Sequence, residues 1–178
     1  MAAVAESPYV EAIERAVDLL HAAFETGHKL LIFGNGGSSA DAQHLSAELL
    51  GRFEAERRAL PAIALTTNQA VLTAWSNDYS FEDVFARQID ALGVPGDVAL
   101  GISTSGTSAN VVNGLLRARA RGLKTIGLTG ATGGNLAGVS DVLLAVPLSS
   151  TARIQEVHLV TYHAICGAVE ARLGQSSE

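Results

Sequence analysis

The chain has 178 residues, of which 48% are hydrophobic and 17% are charged, with a formal net charge of −6. This length is typical of one domain with a substantial core, and a mean hydropathy of +0.26 argues against a disordered chain. The acidic balance disfavours nucleic acid as a partner, and the single cysteine, Cys166, excludes an internal disulfide framework.

Short apolar segments alternate with helical patterns along the chain, after a first helix predicted over about residues 8–26. The predicted strands are residues 29–33, 62–65, 97–102, 125–129 and 141–146. The later helices are predicted over residues 39–50, 68–75, 81–92, 109–121 and about 152–173. This alternation predicts a parallel sheet covered by helices on both faces. We therefore expect one α/β domain over residues 1–178, with its core over about residues 28–150.

Neither a membrane span nor a signal peptide is predicted. The sequence contains no run of about 18 uninterrupted apolar residues, and its first 20 residues have no basic segment ahead of an apolar one. The expected location is therefore the cytoplasm, with no membrane partner. Sparse charge combined with high apolar content predicts that further copies of the chain cover part of its surface.

Two polar loops follow predicted strands, at the edge of the sheet where ligands bind in such folds. The first, GNGGSS at residues 34–39, lets the backbone approach a ligand but lacks the dinucleotide fingerprint and the P-loop lysine. A tight turn with a serine cap explains it equally well. The second, STSGTS at residues 103–108, places five hydroxyls before a helix. Hydroxyls and helix N–H groups can hold a small phosphorylated metabolite without a lysine.

Two predicted helices each carry a pair of polar residues that can face one cavity. His44 and Glu48 are four residues apart and share a face, whereas Gln155 and His163 are eight apart on the last helix. The four could bind a divalent metal, and a facing glutamate and histidine could also transfer protons without one. For each pair alone, a surface pair or a core hydrogen bond is the simpler explanation. His158 lies about 140° from His163 around the helix, so we expect a different role for it.

Six motifs occur in order over about residues 8–173. They are GNGGSSADAQHLSAEL, LPAIALT, ND at residues 77–78, GDVALGISTSGTSANV, GLTG, and TARIQEVH followed by a further histidine. Together they resemble the phosphoheptose isomerases, the sedoheptulose 7-phosphate isomerases of the SIS (sugar isomerase) domain superfamily. The resemblance implies a three-layer αβα sandwich with a five-stranded parallel sheet. It also implies a homotetramer with active sites at subunit interfaces.

The resemblance also implies roles for most of these polar residues. The positions that match the family's substrate-binding segments are Asn35, Gly36, Gly37, Asn77 and Asp78, and those that match its phosphate cradle are Ser103, Thr104, Ser105 and Ser108. The positions that match its zinc site, with one ion per subunit, are His44, Glu48, Gln155 and His163. Glu48 and His163 also match the catalytic pair, and Glu48 and Gln155 are expected to contact substrate.

Two positions depart from the family pattern. Thr107 stands where the family often has asparagine, which is a mild change in a polar loop. Ala152 stands where some members carry an aspartate three residues before the glutamine, so any catalytic contribution of that aspartate does not transfer to this chain. Other members have the Thr-Ala/Pro-Arg-Ile-Gln sequence that residues 151–155 match.

The activity implied by the resemblance is conversion of sedoheptulose 7-phosphate to D-glycero-D-manno-heptose 7-phosphate through an enediol. This is the first step of heptose synthesis for lipopolysaccharide or another surface glycan. In this hypothesis Glu48 is the base, His163 transfers a proton on the other side, and zinc polarises the carbonyl. A glutamate bound to zinc is a poorer base, so the sequence leaves open whether the metal is catalytic or structural.

Two other functions stay open at this point. A related branch consists of non-catalytic tetramers that bind the bacterial replication initiator and share GNG, RFE, LPAIAL and ARIQE with this chain. That branch lacks the acid and the last histidine that this chain has at Glu48 and His163, so the enzyme is favoured. The third alternative is an isomerase of another sugar phosphate, or a ligand-sensing SIS module.

The remaining notable residues have structural interpretations. Cys166 is expected to be a small buried apolar residue, and Trp75 is expected to pack in the core rather than to stack on a sugar. Arg57 and Arg58 are interpreted as a solvated turn.

Overall fold

The computed structural model describes residues 8–175, which form five strands and six α-helices. In chain order these are α1 (Tyr9–Glu25), β1 (Leu30–Gly34), α2 (Gly37–Leu50), β2 (Ala62–Ala64), α3 (Gln69–Asp78), α4 (Val84–Leu92), β3 (Val98–Ser103), α5 (Ala109–Ala120), β4 (Lys124–Thr129), β5 (Val142–Ala145) and α6 (Thr151–Gln175). Two short 3₁₀ turns lie at Phe81–Asp83 and Gly134–Gly138. Within residues 8–175, no helix combines the length and the apolar composition needed to cross a membrane.

The five strands form one sheet in the order β2-β1-β3-β4-β5, and each neighbouring pair is parallel. The chain passes from β1 to β2 on one side and then returns to place β3 on the other side of β1. The connections that leave β1 and β3 therefore diverge, which opens a crevice at the carboxyl ends of these strands. This crevice lies where the two polar loops begin.

Helices cover both faces of the sheet. In β1, Leu30 and Ile32 join a core with α1, α2 and α6, whereas Leu31 and Phe33 join a second core with α4 and α5. Because both faces are buried, the strand is a continuous apolar run rather than an alternating one. The predicted three-layer sandwich with a five-stranded parallel sheet is confirmed.

The ends of several elements differ from those predicted. The third helix extends three residues further than expected, so Asn77 and Asp78 lie in its last turn rather than in a loop. The second helix begins at Gly37, two residues earlier than expected. The helix predicted over residues 81–92 starts as a 3₁₀ turn, in which the Ser80 hydroxyl accepts a hydrogen bond from the Glu82 N–H.

Asp97 connects the amino-terminal ends of β1 and β3. The crevice lies at the opposite, carboxyl-terminal ends of these strands. The buried carboxylate of Asp97 accepts hydrogen bonds from the Lys29 N–H (3.0 Å), the Val94 N–H (2.9 Å) and the Lys29 ammonium group (2.6 Å). Burial alone raises the pKa of Asp97, but the Lys29 side chain and the two backbone donors outweigh it and hold the pKa below its ordinary value. The charged form of Asp97 therefore stabilises the fold.

We expect Asp97→Ala to lower the free energy of unfolding by about 3 kcal/mol at neutral pH, because buried donors lose a charged acceptor. Since the pKa of Asp97 is depressed in the folded state, its contribution is present above the unfolded pKa and is lost as the pH falls through the folded pKa. Urea unfolding at neutral pH and below about pH 4 measures this contribution. The free energies of unfolding of Asp97→Ala and the wild-type protein should lie closer together in acid than at neutral pH.

The matched control for this substitution is Asp90→Ala, which removes a partly exposed carboxylate that lies 3.4 Å from Arg117. We expect a change below about 0.5 kcal/mol for this control, because exposed ion pairs contribute little. Equal effects of the two substitutions would contradict the role given to Asp97.

Candidate active site and metal centre

The loop after β1 is held between α5 and α6. Gly36 has a φ of 55°, in the left-handed region that favours glycine, and this lets the chain turn directly into α2. A Cβ atom on Gly37 would overlap the amide nitrogen of Gln155, so the Gln155 side chain lies against the first turn of α2. Asn35 and Asn110 exchange two amide hydrogen bonds, of 2.8 and 2.9 Å. The loop lines a small cleft together with Ser39, Thr66, Leu72, Phe81 and Phe85.

The hydroxyl groups that follow β3 form a connected cluster. Ser103 Oγ lies 2.9 Å from Ser108 Oγ and 3.4 Å from Ser105 Oγ. Ser105 Oγ in turn lies 3.0 Å from Thr107 Oγ1 and accepts a hydrogen bond from the Thr107 N–H. The cluster stands at the amino-terminal end of α5, where free N–H groups favour an anion. Three of the four residues predicted for a phosphate site, Ser103, Ser105 and Ser108, therefore lie together here with Thr107.

Close backbone packing fixes the position of this second loop. Gly106 has a φ of 71°, and a Cβ atom there would collide with the Gly133 carbonyl group, so only glycine fits. The Thr104 carbonyl accepts a hydrogen bond of 3.0 Å from the Gly130 N–H, which ties the loop to the segment that follows β4. The hydroxyl cluster is thus carried on a rigid support.

His44, Glu48 and His163 come together between α2 and α6. The nearest ligand atoms of the three side chains all lie within 4.8 Å of one another, and His44 Nε2 lies 2.9 Å from Glu48 Oε1. His163 Nε2 is buried and has no hydrogen-bond partner among residues 8–175. A buried nitrogen in this state is costly unless a ligand satisfies it. Two imidazoles and a carboxylate are ordinary zinc donors, so these residues fit a divalent cation.

Aromatic side chains surround this cluster. The Tyr162 hydroxyl oxygen lies 3.0 Å from His44 Nδ1 and 3.5 Å from Asp41 Oδ1, and burial raises the pKa of Tyr162 so that the hydroxyl keeps its proton. The His163 ring lies 5.1 Å from the His44 ring and 5.2 Å from the Phe53 ring, measured between centroids. Both histidines are therefore held by packing, and His44 is held by hydrogen bonds as well.

The contacts of Gln155, Asn77 and Asp78 are with other parts of the described chain. Gln155 contacts the first turn of α2, seven residues and about 10 Å along the helix axis from His44. Asn77 and Asp78 are exposed at the end of α3, where the Asn77 amide donates a hydrogen bond of 2.8 Å to Asp78 Oδ1. The structure thus brings together three of the four predicted metal ligands.

The Arg57 side chain is buried, so the interpretation of Arg57 and Arg58 as a solvated turn is wrong for Arg57, whereas Arg58 is exposed. The Arg57 Nε atom lies 2.9 Å from Glu170 Oε1. Its other guanidinium nitrogens donate to the carbonyl groups of Glu48 (2.7 Å) and Leu49 (2.9 Å). Arg57 thereby satisfies the free carbonyls at the end of α2, where Glu48 is carried.

Glu170 holds the segment that follows α2 in place. Its carboxylate accepts hydrogen bonds from three consecutive backbone N–H groups, at residues 53–55, with distances of 2.8 to 3.0 Å. Burial raises the pKa of Glu170, but the backbone donors and Arg57 outweigh it and hold the pKa below its ordinary value. Because Phe53 packs on His163, Glu170 supports the cluster indirectly.

Three other residues behave largely as expected. His158 is fully buried, its Nε2 lies 3.2 Å from the Thr129 carbonyl, and burial lowers its pKa to about 4, so it is a neutral donor distinct from the cluster. Cys166 is buried as predicted. Trp75 packs at the margin of the second core, although its ring also stacks on Tyr79.

Known proteins match this chain in both sequence and structure. The SIS domain profile matches residues 2–130. The phosphoheptose isomerases of Geotalea daltonii and Crocosphaera subtropica are 56% and 55% identical to it, over 94% and 93% of this chain and 85% and 84% of their own. The structure of phosphoheptose isomerase GmhA from Neisseria gonorrhoeae superimposes with a TM-score of 0.86, at 46% identity, over 91% of this chain and 86% of that one.

The chain belongs to the phosphoheptose isomerase family. Membership in this family makes it an isomerase and confirms the resemblance drawn from the six motifs. The same relatives do not favour the adaptor or a sensing module.

The residues that support the site of this phosphoheptose isomerase family member could not be predicted from its motifs. Glu170 lies seven residues after His163, and this spacing places both residues on the same face of α6. The spacing could therefore have indicated that Glu170 lies near the candidate site. The contacts of Tyr162 and Asn110 join residues more than 70 positions apart, and no local pattern predicts them.

Glu170→Gln keeps the shape of the side chain but removes the charge that Arg57 and the backbone donors face. We expect the amide protons of residues 53–55 to exchange about tenfold faster, because charge-assisted hydrogen bonds become neutral ones. Hydrogen–deuterium exchange read by mass spectrometry measures this. The control is Glu156→Gln, which alters an exposed partner of Arg153 on the same helix. Unchanged exchange in Glu170→Gln would show that the carboxylate does not hold the segment.

Proposed function

We propose that this chain converts sedoheptulose 7-phosphate to D-glycero-D-manno-heptose 7-phosphate through an enediol. The observation that carries the proposal is the cluster of His44, Glu48 and His163, within 4.8 Å, in a chain 56% identical to a phosphoheptose isomerase. Aldose–ketose isomerisation needs a base, an acid and a group that polarises the carbonyl. This cluster can supply the first two and can hold a metal for the third.

The loop after β3 is the proposed phosphate site. Neither it nor the loop after β1 contains a lysine or an arginine, so hydroxyl groups and the amino-terminal N–H groups of α5 must hold the anion. The contacts among Ser103, Ser105 and Ser108 support this assignment, because hydroxyls that contact one another can rotate toward one ligand. Thr104, Asn35, Gly36 and Gly37 complete the proposed substrate contacts on this side, and Asn77 and Asp78 are proposed for the sugar.

Zinc is the proposed cofactor, with one ion per subunit. His44, Glu48 and His163 would hold it, and Gln155 is the proposed fourth ligand. The unsatisfied His163 Nε2 supports this assignment, because a metal would complete that atom's bonding. When bound, zinc supplies a Lewis acid that polarises the substrate carbonyl group.

The proton transfers are assigned to Glu48 and His163. In the form in which His163 Nε2 carries a proton and binds no metal, the Glu48 carboxylate accepts a proton from C1 while His163 donates one to the C2 carbonyl oxygen, and this gives the enediol. His163 then takes the proton of the C1 hydroxyl and Glu48 returns its proton to C2, which yields the aldose. Only Oε1 of Glu48 faces His44, so the second oxygen is the one assigned to the base.

Glu48→Gln and His163→Gln should each lower kcat by about 10² to 10⁴-fold, the range of general acid–base catalysis. Formation of the aldose from sedoheptulose 7-phosphate, followed by proton NMR with and without a chelator, measures this. Glu25→Gln removes an exposed carboxylate near Arg58 and serves as the control, with unchanged turnover expected. If either Glu48→Gln or His163→Gln keeps near wild-type turnover, the role of that residue is wrong.

A homotetramer is the proposed assembly. An apolar surface lies beside the edge strand β2, with Leu50 49% exposed and Ile63 38% exposed. Edge strands and exposed apolar groups of this kind are usually covered by another chain. The family resemblance, which places active sites at subunit interfaces, agrees with this.

Light scattering should give a mass of about four times the 18.4 kDa of one chain. Leu50→Glu should lower this mass, because a charge would enter the apolar surface. The matched control is Leu116→Glu, also on a helix and 48% exposed but on the opposite face of the sheet. A tetramer that survives Leu50→Glu would exclude this surface from the interface.

Family membership also supports a proposal about the domain organisation and the location of the chain. We propose that the chain is a single SIS domain that works in the cytoplasm and supplies a heptose phosphate for a surface glycan. The SIS domain match over residues 2–130 and the phosphoheptose isomerase relatives support this.

A further inference from the structure

The first half of α6 packs on the two residues at the carboxyl end of β4. His158 of α6 is fully buried, and its Nε2 atom lies 3.2 Å from the Thr129 carbonyl oxygen. A carbonyl oxygen only accepts, so Nε2 carries the ring proton and donates it. Four residues earlier, the Ile154 side chain lies so close to Gly130 that a Cβ atom on Gly130 would overlap it. Two positions one helical turn apart therefore dock α6 on this short segment.

The same two residues support the loop after β3, which is the proposed phosphate site. The Thr129 hydroxyl oxygen lies against Gly106, where a Cβ atom would come within 2.9 Å of it. The Gly130 N–H donates a hydrogen bond of 3.0 Å to the Thr104 carbonyl group. Thr129 and Gly130 thus lie between the loop and α6 and contact both.

The histidine side chain at position 158 leaves one buried polar atom unsatisfied. A neutral imidazole has one N–H, so donation from Nε2 leaves Nδ1 as an acceptor. Within residues 8–175, Nδ1 of His158 is buried and has no hydrogen-bond partner. This state costs folding free energy that an apolar side chain of similar size would avoid. Packing of α6 alone therefore does not account for a histidine here.

We propose that His158 is a positioning residue that holds α6 at a fixed place relative to the proposed phosphate loop. The same helix carries His163 of the proposed catalytic pair, five residues after His158. A substrate held by its phosphate group presents its reacting carbons to His163 only while α6 keeps this place. His158 itself does not touch the substrate, because its ring is fully buried. The proposal rests on the proposed isomerase function and its phosphate site.

The first experiment replaces His158 and measures kcat and KM with sedoheptulose 7-phosphate. His158→Leu removes the N–H donor, and we expect kcat to fall about 10- to 100-fold, because small displacements of catalytic groups cost this much. KM should change by less than about threefold, because the loop after β3 keeps its own contacts. His158→Gln should restore kcat to within about threefold of the wild-type value, since its amide N–H can take the place of Nε2.

Two further variants separate positioning from a general loss of packing. His158→Asn has an amide that is one methylene shorter than that of glutamine, so its kcat should fall as in His158→Leu, and it serves if the leucine variant folds poorly. The matched control is Tyr9→Phe, which removes a hydroxyl 2.8 Å from Thr161 Oγ1 and so weakens the contact of α6 with α1 instead. Its kcat should be unchanged.

Three kinetic results would overturn the proposal. The first is a wild-type kcat in His158→Leu or His158→Asn. The second is an equal loss of kcat in His158→Gln and His158→Leu, which would mean that the hydrogen bond is not the cause. The third is an equal loss in Tyr9→Phe, which would mean that any loosening of α6 has the same effect.

The second experiment needs no turnover and uses inorganic phosphate as the probe. Hydrogen–deuterium exchange should show that phosphate slows amide exchange in the loop after β3 and also in the first half of α6. In His158→Leu the protection of the loop should remain, whereas the protection of α6 should be lost. Protection of α6 that is absent from the wild-type protein, or equal in His158→Leu, would contradict the role of His158.

Failure of this proposal can be distinguished from failure of the proposed function. If the wild-type protein does not isomerise sedoheptulose 7-phosphate, the proposed function is wrong, and the exchange experiment alone decides the role of His158. If phosphate does not protect the loop after β3, the proposed phosphate site is wrong and this proposal falls with it. If the wild-type protein is active and His158→Leu is equally active, only the role of His158 is wrong.

Discussion

The parallel packing of α2 against α6 is the contact on which the site depends. Gln155 meets α2 at Gly37, and Tyr162 meets it seven residues later at His44, so the two helices run side by side in the same direction. This alignment brings His163 to His44 and Glu48. The helices keep it because both pack on the same face of the sheet and share one core with α1. The proposed phosphate site, in contrast, lies at the crevice beyond the strand ends.

Much of the fold could be predicted because its strands carry continuous apolar sequence. A strand such as β1 is buried on both faces, and only a parallel sheet between helices requires that. The pairing of His44 with Glu48 was equally accessible, since a spacing of four residues places both on one side of a helix. The hydroxyl-rich loop after β3 was recognisable as a candidate phosphate site because it has five hydroxyls, whereas capping the following helix needs only one.

Contacts between distant segments could not be predicted in this way. Arg57 looks like a surface residue in sequence, yet its partner is Glu170, more than 100 positions away. Tyr162 looks like an ordinary core aromatic, and its role depends on where α2 places His44. The spacing of Gln155 and His163 allowed a shared cavity, but the single chain places the Gln155 amide beside Gly37. The spacing of two residues in the sequence determines which faces of one helix they occupy. Contacts between residues of two helices depend on how the helices pack against each other.

The position of α6 at the end of the described chain has a consequence for synthesis on the ribosome. All five strands precede this helix, so a nascent chain can contain the complete sheet before His163 has been made. Until α6 docks, the parts of the larger core that it covers, on β4 and on α1 and α2, are open to solvent. The chain therefore gains its candidate site and closes its larger core in the same late step. A chain released early would lack that site and would expose apolar surface that favours aggregation.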